Sequence, residues 1–373
     1  MAVAWTFWRN INLTPDFPSA ATAIETLYEY VEGERLDGTL VADPFSLESL
    51  MGVTGPIEVP QLGRSISAED VVEVTTNQAY AEITDPAARK RVLGDVARTV
   101  VGRFLHGSTT PEVFAQAIIS ASSGGHLRIH SADPEMQRGL GMIEVGGALL
   151  EAHDDYLGLA FNNAAGNKVD FYAYPALDYD VRLGAAGTAR SRATISIENR
   201  APSSGVPAYV IGPYPGVSEV GENITHVSLF LPGSSILEEV EVDGSPDLAA
   251  EGTELSHLVL ERSLEMASGE TGSLSYSIAA PSAWDGDPGA GTYLLELQLP
   301  PTMNPIEVSI DLQTPAGTEI VWTSVPMDVR GNRARWTSSS VTRQTVEVRF
   351  QKPFPSRLWE DLKDFFGRPV GEL

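Results

Sequence analysis

The segment LDGTLVADPFSLESLMGVTGPIEV, Leu36 to Val59, holds the pattern that decides the fold of the N-terminal half. Its apolar run LVA ends at Asp43, an amphipathic turn follows, and a Thr-Gly-Pro turn at 54–56 leads into a second short strand. Gly-Pro pairs mark sharp breaks between regular elements. The segment therefore predicts short strands alternating with helices, with the Asp43 carboxylate at the end of a buried strand.

Composition indicates a globular protein of two domains. The chain has 373 residues, of which 42% are hydrophobic and 20% are charged, as in ordinary folded domains. Its net charge is −25, from 25 basic and 50 acidic residues. This charge repels polyphosphates and anionic lipids, so we expect no nucleic-acid partner. It still allows one local basic pocket for a single phosphate group.

Several classes of site and segment are excluded by what the sequence lacks. Cysteine is absent, which excludes disulfides, thiolate nucleophiles and cysteine–zinc sites. Glycine-rich nucleotide loops and a nucleophilic serine elbow are also missing. No apolar run approaches the roughly 20 residues that span a bilayer. The alternating aromatic residues of 5–8 are typical of an internal strand rather than of the start of a chain.

The first domain is predicted at 1–188, as an α/β layered domain. Helices are expected after Pro18, from the box formed by Ser67 and Asp70, after Asp85-Pro86, after Thr110-Pro111 and after Asp133-Pro134. Apolar strands are interspersed among these helices, which is the pattern of α/β layers.

The second domain is predicted at 189–352, as an immunoglobulin-like β-sandwich. Period-2 segments such as ATISIEN, HVSLFLP and IEVSIDLQTP follow one another here, separated by turn residues. The segment WDGDPG, 284–289, is predicted to be a hairpin turn; calcium binding is the alternative. The tail at 353–373 is predicted to be an amphipathic helix that docks on the sandwich, on a partner or on a membrane.

The helix after Asp85 contains an unusual arginine. At about 100° per residue, Leu93, Val96, Val100 and Phe104 share a face, and Arg89 projects from the first turn on this apolar side. An inward guanidinium at a helix N-terminus is suited to holding an anion. The alternative is that it snorkels towards the solvent or pairs with a buried carboxylate such as Asp43.

Two further groups of polar residues are candidate sites. His126, Arg128 and His130 share one face of the strand HLRIHS. They are predicted either to contact a phosphate or an acidic glycan, or to lie on an exposed edge strand. The second group is predicted to perform acid–base work on a sugar or to form turns and solvated surface; its members are His153, Asp154, Asp155, Asn163, Lys168 and Asp170.

An ordered series of segments resembles one family. NINLTPDFPSAA, the 36–59 segment, SAEDVVEVTTNQAY, RKRVLGDVA, SADPEMQ and YLGLAFNNAAGNKVDFY look like parts of the actinobacterial envelope proteins of domain of unknown function 4012. The similarity covers most of 10–245. It implies an uncharacterised extracytoplasmic protein of the cell envelope, on the outer side of the membrane, with an N-terminal membrane anchor that is expected to be missing from this chain.

A more distant resemblance is to the LytR-CpsA-Psr phosphotransferases, which attach lipid-linked glycans to the cell wall. It implies a polyprenyl-pyrophosphate site framed by the candidate phosphate-binding residues Asp43, Gly55, Tyr80, Arg89 and Arg91, with Mg²⁺ as the cofactor if the chemistry is retained. Both families carry an upstream segment that precedes the start of this chain. The α/β domain is therefore expected to be incomplete and to lack activity, and whether the protein is an enzyme stays open.

Two functions of different classes follow. The first is a relative of the glycan phosphotransferases whose partner is a polyprenyl-linked glycan. The alternative is a noncatalytic surface protein whose sandwich binds a cell-wall polysaccharide or a protein partner. A glycosidase using Asp154 or Asp170 ranks third.

Overall fold

A computed structural model of the chain describes residues 10–152, 154–184, 186–287, 289–339 and 341–353. Within these ranges the chain divides into two compact units. The first contains 10–150, 162–172 and 200–223, and the second contains 151–161, 173–199 and 224–353. None of the described helices is both long and apolar enough to cross a membrane. The predicted strand at 5–8 and the predicted C-terminal helix beyond residue 353 lie outside the described residues.

Helices dominate the first unit, and local capping explains where they begin. They are α1 (Phe17–Glu32), α2 (Pro44–Thr54), α3 (Ala68–Glu73), α4 (Ala79–Glu82), α5 (Pro86–His106), α6 (Pro111–Ser122), α7 (Pro134–Gly141) and α8 (Ala208–Ile211). Five of them have a proline in the first turn and a side chain that caps the helix from the residue before it; these caps are Asp16, Asp43, Asp85, Thr110 and Asp133.

The predicted capping box at Ser67 is confirmed. The Asp70 carboxylate accepts from the Ser67 backbone N–H at 3.2 Å and from its hydroxyl at 2.6 Å. The helical run that it starts is not uniform, because a π-helical segment, Val74–Gln78, separates α3 from α4. Such a segment re-aims the side chains that follow it, and Tyr80 is one of them.

The first unit contains two small antiparallel ladders among its described residues. β1 (Gly38–Ala42) pairs with β4 (Leu127–Ser131), and β2 (Ile57–Val59) pairs with β3 (Arg64–Ile66). The prediction that the LVA strand is buried is wrong, since Leu40 and Val41 are 41% and 42% exposed. A ladder of two strands is too narrow to form a buried layer.

The core of the first unit lies where α2, α5 and α6 pack together. Its largest contributions come from Leu50 and Met51 of α2 and from Val96, Val100 and Phe104 of α5, each 3% exposed or less. At about 25 cal/mol per Å² of apolar surface, this burial is the main source of stability of the unit.

Two large sheets form the second unit. The β6 sheet runs in the order β10 (Ser245–Asp247), β9 (Ile236–Val242), β13 (Thr271–Ala280), β7 (Ala189–Asn199), β6 (Ala173–Leu183), β16 (Glu307–Gln313), β19 (Arg333–Ser338) and β18 (Asp328–Arg330). The β5 sheet runs in the order β11 (Ala250–Glu254), β12 (His257–Met266), β8 (Asn223–Pro232), β5 (Asp155–Asn163), β15 (Ala290–Gln298), β20 (Arg343–Gln351) and β17 (Glu319–Thr323), and β14 (Trp284–Asp287) also pairs with β15.

The two sheets share one hydrophobic core. Side chains alternate between the two faces of a strand, so each sheet can bury one face and expose the other. In β6, Leu177, Tyr179 and Val181 are buried, whereas Asp178 and Asp180 between them are exposed. Most pairings are antiparallel, but β5 pairs in parallel with β15, and β6 pairs in parallel with β16. The predicted hairpin at 284–289 is present as the antiparallel pair β14–β15.

The division of the chain differs from the predicted boundary at residue 188. Strands β5 and β6, which the sequence analysis assigns to the first domain, lie at the centres of the two large sheets. Conversely, 200–223 belongs to the first unit. The reason is that a strand pairs with strands that are distant along the chain, and the composition of a segment does not reveal its partners.

Candidate functional site

The candidate site of the first unit is built around Arg89. This residue is 3% exposed and lies on the face of α5 that also buries Val92, Val96 and Val100. The helical spacing predicts this inward orientation. Arg91, two positions on, is exposed on the same helix, so the two arginines do not contribute to one site.

Aromatic rings surround the Arg89 guanidinium. Its central carbon lies 4.8 Å from the centre of the Tyr80 ring and 4.0 Å from that of Tyr209, and the two rings stack with centres 5.7 Å apart. One guanidinium N–H donates to the Ile83 carbonyl at 2.8 Å. The Tyr214 hydroxyl donates to the Tyr209 carbonyl at 2.8 Å. We call Tyr80, Arg89, Tyr209 and Tyr214 the Arg89 cluster.

The charge of Arg89 is not balanced by an acid. Across the described ranges, no carboxylate lies within 4.0 Å of its guanidinium, although the chain has 50 acidic residues. An isolated buried charge is costly, and the two ring faces offset only part of that cost. Tyr209 is 42% exposed, so the cluster reaches the surface of its unit. This geometry leaves a cation available to an incoming anion.

Two tyrosines of the cluster, Tyr80 and Tyr214, have a raised pKa. Burial is the main reason that the pKa of Tyr80 is raised, the neighbouring Tyr209 raises it further, and Arg89 opposes the shift. Burial and Tyr209 likewise raise the pKa of Tyr214. Protonated phenols can donate hydrogen bonds, which suits an anionic ligand.

Asp43 is not part of this cluster. One of its carboxylate oxygens caps α2 by accepting from the N–H groups of Phe45 and Ser46 at 2.9 and 3.0 Å. The other lies 2.6 Å from Nδ1 of His126, whose ring packs on Phe45 at 4.7 Å. The alternative in which Arg89 pairs with Asp43 is therefore wrong. Of the residues that the distant resemblance groups together, the structure brings only Tyr80 and Arg89 into contact.

The donor set around Asp43 does not fit Mg²⁺. This ion requires several oxygen ligands in octahedral geometry, whereas both Asp43 oxygens already accept protein hydrogen bonds. Across the described ranges, no group of three or more histidine, aspartate or glutamate side chains is placed to hold a metal.

The three basic residues in and directly before β4 each have a protein partner. His126 contacts Asp43, His130 lies 2.8 Å from Glu25 through its Nδ1, and Arg128 donates to the Glu144 carbonyl at 2.8 Å. These contacts tie β4 to the segments around it. Since each of the three side chains has a protein partner, none of them is left free for the predicted contact with a phosphate or a glycan.

Asn163 and Asp170 meet in one loop of the first unit. The Asn163 amide donates to the Asp170 carboxylate at 2.7 Å, and Asn223 donates to it at 3.4 Å. Burial raises the pKa of Asp170, and the bond from Asn163 and the charge of Lys168 oppose this shift. The Lys168 backbone N–H donates to Val210 at 2.8 Å. This network stabilises the loop.

Asp155 occupies a different environment, in the second unit. It is 3% exposed, and its carboxylate accepts from the hydroxyls of Tyr293 at 2.6 Å and Tyr179 at 3.0 Å. The Tyr179 hydroxyl also lies 3.1 Å from that of Ser191. Burial raises the pKa of Asp155 to about 6. Asp154 is exposed, so the two neighbouring carboxylates lie in different environments. His153 lies outside the described residues.

Solved structures resemble parts of the chain only weakly. A Legionella pneumophila protein described as nutrient-binding is 7% identical, with a TM-score of 0.31 over 54% of this chain and 72% of that one. An M1 zinc metallopeptidase of Deinococcus radiodurans is 12% identical, with a TM-score of 0.27 over 48% of this chain and 42% of that one. Leukotriene A4 hydrolase of Saccharomyces cerevisiae is 9% identical, with a TM-score of 0.29 over 48% and 29%. Overlaps this low carry no argument about function.

Sequence comparison relates one part of the chain to a family. No curated protein matches it. Residues 1–80, which include the 36–59 segment and end at Tyr80 of the Arg89 cluster, match the family described as Protein of unknown function (DUF4012).

Proposed function

We propose that this chain is an extracytoplasmic protein of the cell envelope that binds a phosphate-bearing ligand at the Arg89 cluster. The match over residues 1–80 supports the resemblance to the DUF4012 family. The envelope location is taken from that resemblance. The single observation behind the binding site is the buried Arg89 guanidinium with no carboxylate partner within the described part of the chain. The class of ligand, a polyprenyl-linked glycan, is drawn from the distant likeness to the LytR-CpsA-Psr phosphotransferases.

The chemistry of the cluster favours a phosphate group. A guanidinium presents its N–H donors in a planar fork that matches two phosphate oxygens. The protonated Tyr80 hydroxyl adds a donor without adding a competing negative charge, whereas the single O–H of Tyr214 is engaged with the Tyr209 carbonyl. A terminal phosphate entering beside Tyr209 neutralises Arg89 and replaces water at the one exposed edge of the cluster.

We propose binding in preference to phosphoryl transfer. Transfer requires a group that positions the nucleophile or neutralises the developing charge. The distant likeness implies that Asp43 would position a metal or an arginine, but its two oxygens are engaged with the N-terminus of α2 and with His126. The cluster itself contains a cation and phenols, and these hold an anion without activating water.

The test is calorimetric titration of the protein with inorganic pyrophosphate and with geranyl pyrophosphate. We expect both ligands to bind, and Arg89→Met to weaken binding at least tenfold. Methionine has a similar length, and replacing an unpaired buried charge by an apolar side chain preserves folding in many proteins. Circular dichroism of the variant verifies that it is folded.

The matched control is Arg91→Met on the exposed side of the same helix. We expect this variant to bind both ligands as the wild-type protein does. Equal binding by the wild-type protein and the Arg89→Met variant contradicts the site, and so does an equal loss in the Arg89→Met and Arg91→Met variants. A wild-type protein that binds neither ligand contradicts the proposed function.

We also propose that the second unit is an immunoglobulin-like sandwich that serves as a noncatalytic binding module. One hydrophobic core shared by two sheets supports this proposal. The experiment is a pull-down of the protein with insoluble cell-wall polysaccharide. We expect retention of the protein, including its Arg89→Met variant, because the module is separate from the Arg89 cluster.

A further inference from the structure

A row of arginines crosses the outer face of the β6 sheet. Arg182 is in register with Arg190 on one neighbouring strand and with Gln313 on the other. Arg333 is likewise in register with Gln313 on one side and with Arg330 on the other. Residues in register on adjacent strands point to the same face. The row thus contains four arginines and one glutamine on five consecutive strands, and we call it the arginine row.

Within the described ranges, two members of the row form no ion pair. Arg190 pairs with Glu238 at 3.1 Å, and Arg330 pairs with Asp328 at 2.9 Å. Exposed pairs of this kind are weak and exchange their partners readily. In the described part of the chain, no carboxylate lies within 4.0 Å of Arg182 or Arg333.

Arg182 and Arg333 can converge on one anion. They flank Gln313, so their strands are two spacings apart, which is roughly 10 Å at about 4.8 Å per strand. Long flexible side chains on that spacing reach a common point above Gln313, whose carboxamide supplies a further N–H donor. The three side chains form a donor set for a carboxylate or a phosphate.

A cleft of about 440 Å³ lies along this row, and its lining also includes Asp180, Asp311, Asp328 and Arg335. The Arg335 guanidinium lies 3.7 Å from the Asp311 carboxylate, which keeps its other lone pairs for a ligand. Asp180 and Asp311 are in register with each other one row away from the arginines. Burial and the charges of Asp311 and Asp178 raise the pKa of Asp180. Crowded carboxylates are strong acceptors for hydroxyl groups. The volume matches a small polar ligand, since ligand clefts are typically about 300–1,000 Å³.

We propose that this cleft binds an anionic sugar, with its carboxylate or phosphate group held by Arg182 and Arg333 and its hydroxyls held by Asp180 and Asp311. The inference rests on the proposed binding role of the second unit and names a ligand class for it. An inorganic anion satisfies only the arginines, and a neutral sugar satisfies only the aspartates. The ligand that satisfies both sets carries both kinds of group.

The experiment is titration of the full chain, at low salt and monitored by calorimetry, with four probes: glucuronic acid, glucose 6-phosphate, glucose and inorganic phosphate. We expect at least one of the two anionic sugars to bind at least tenfold more tightly than either glucose or phosphate. The two anionic sugars distinguish a carboxylate from a phosphate as the recognised group.

Variants locate the site. We expect Arg182→Gln and Arg333→Gln each to weaken anionic-sugar binding about tenfold, and Arg343→Gln, an exposed arginine of the β5 sheet, to leave it unchanged. We expect Asp180→Asn to weaken binding of the anionic sugar but not of phosphate, which separates a role in hydroxyl recognition from a loss of folding.

Three outcomes overturn the proposal in different ways. If anionic sugars bind equally well to the Arg182→Gln and Arg333→Gln variants, the cleft is not the site, although the binding role of the unit stands. If no probe binds while the protein is still retained by cell-wall polysaccharide, the ligand class is wrong. If no probe binds and the polysaccharide does not retain the protein, both proposals fail.

Discussion

Asp155 shows how strongly burial acts on a single residue. Its carboxylate lies in the core of the second unit, where it accepts from Tyr179 and Tyr293. Burial raises its pKa from the ordinary 3.8 to about 6, although the two hydroxyls favour the ionised form. The folded protein therefore binds a proton at this position more tightly than the unfolded chain does.

A pH dependence of stability follows. Since the pKa of Asp155 is raised in the folded state, its contribution is fully present below about pH 4 and is lost as the pH rises through about 6. The size of the effect is about 3 kcal/mol at most, from about two pKa units. Urea titration measures the free energy of unfolding of the wild-type protein and of the Asp155→Asn variant. We expect the difference between them, wild type minus variant, to decrease from pH 4 to pH 7.

The adjacent Asp154 provides the control for this experiment. It is exposed and has a positive φ of 52°, a conformation that asparagine tolerates well. We expect Asp154→Asn to follow the wild-type pH profile. A profile for Asp155→Asn that is parallel to that of wild type would show that the Asp155 carboxyl titrates as in the unfolded chain.

At the residue scale, the sequence predicts contacts that are local and misses those that are distant along the chain. Helical spacing places Arg89 on the buried face from its own neighbours alone. Tyr209 lies 120 positions further along the chain, in the short helix α8, and no periodic signal marks it. Asp43 was predicted as a strand end, and its role as the cap of α2 follows from the same Asp-Pro pattern that predicts α5 and α7.

Two glycines, one inside helix α2 and one directly after its last residue, show how backbone conformation affects the stability of a helix. Gly52 lies inside the helix on its exposed side, whereas Gly55 ends it with φ 73° and ψ −178°. A β-carbon added at either position would meet no atom within 4 Å. The two positions therefore differ only in backbone conformation.

Opposite effects of alanine are expected at these positions. Gly52→Ala should raise the free energy of unfolding by roughly 0.5–1 kcal/mol, because glycine is a poor helix former. Gly55→Ala should lower it by about 1–3 kcal/mol, because that region of φ and ψ is essentially confined to glycine. Urea unfolding of the two variants measures both changes, and a shift of the same sign in both would contradict this account.

Helix starts are the elements that the sequence predicts best. An Asp-Pro or Thr-Pro pair supplies a capping oxygen and a preset φ within two residues, so nothing distant is needed. The burial of β1 was predicted wrongly because an apolar run reports hydrophobicity but not how many strands join it. The arginine row had no signal in the sequence, because its members come from five strands and meet only through register.

On the scale of the whole molecule, the chain passes between its two units several times. The second unit takes 151–161 and 173–199 before the first unit takes 200–223. A boundary at 188 separates β5 and β6 from the sheets in which they are central strands. No single boundary can describe this division, because the pattern along the chain does not report which strands pair.

A fragment experiment tests this organisation. We expect the fragment 189–353 to lack cooperative unfolding and near-ultraviolet circular dichroism, because it omits a central strand from each sheet. The fragment 151–353 contains every strand of both sheets and should show both signals. Cooperative unfolding of the shorter fragment would mean that the sheets form without β5 and β6.

The parallel pairing of β5 with β15 has a consequence for synthesis on the ribosome. Asp155 is in register with Leu295, which is made 140 residues later, a delay of roughly 7–30 s at about 5–20 residues per second. During that interval β5 is a nascent strand with one edge unpaired, which is a template for association between neighbouring chains. Slow translation of 156–294 lengthens this exposure, so the yield of native protein in cells should depend on chaperones that shield early strands.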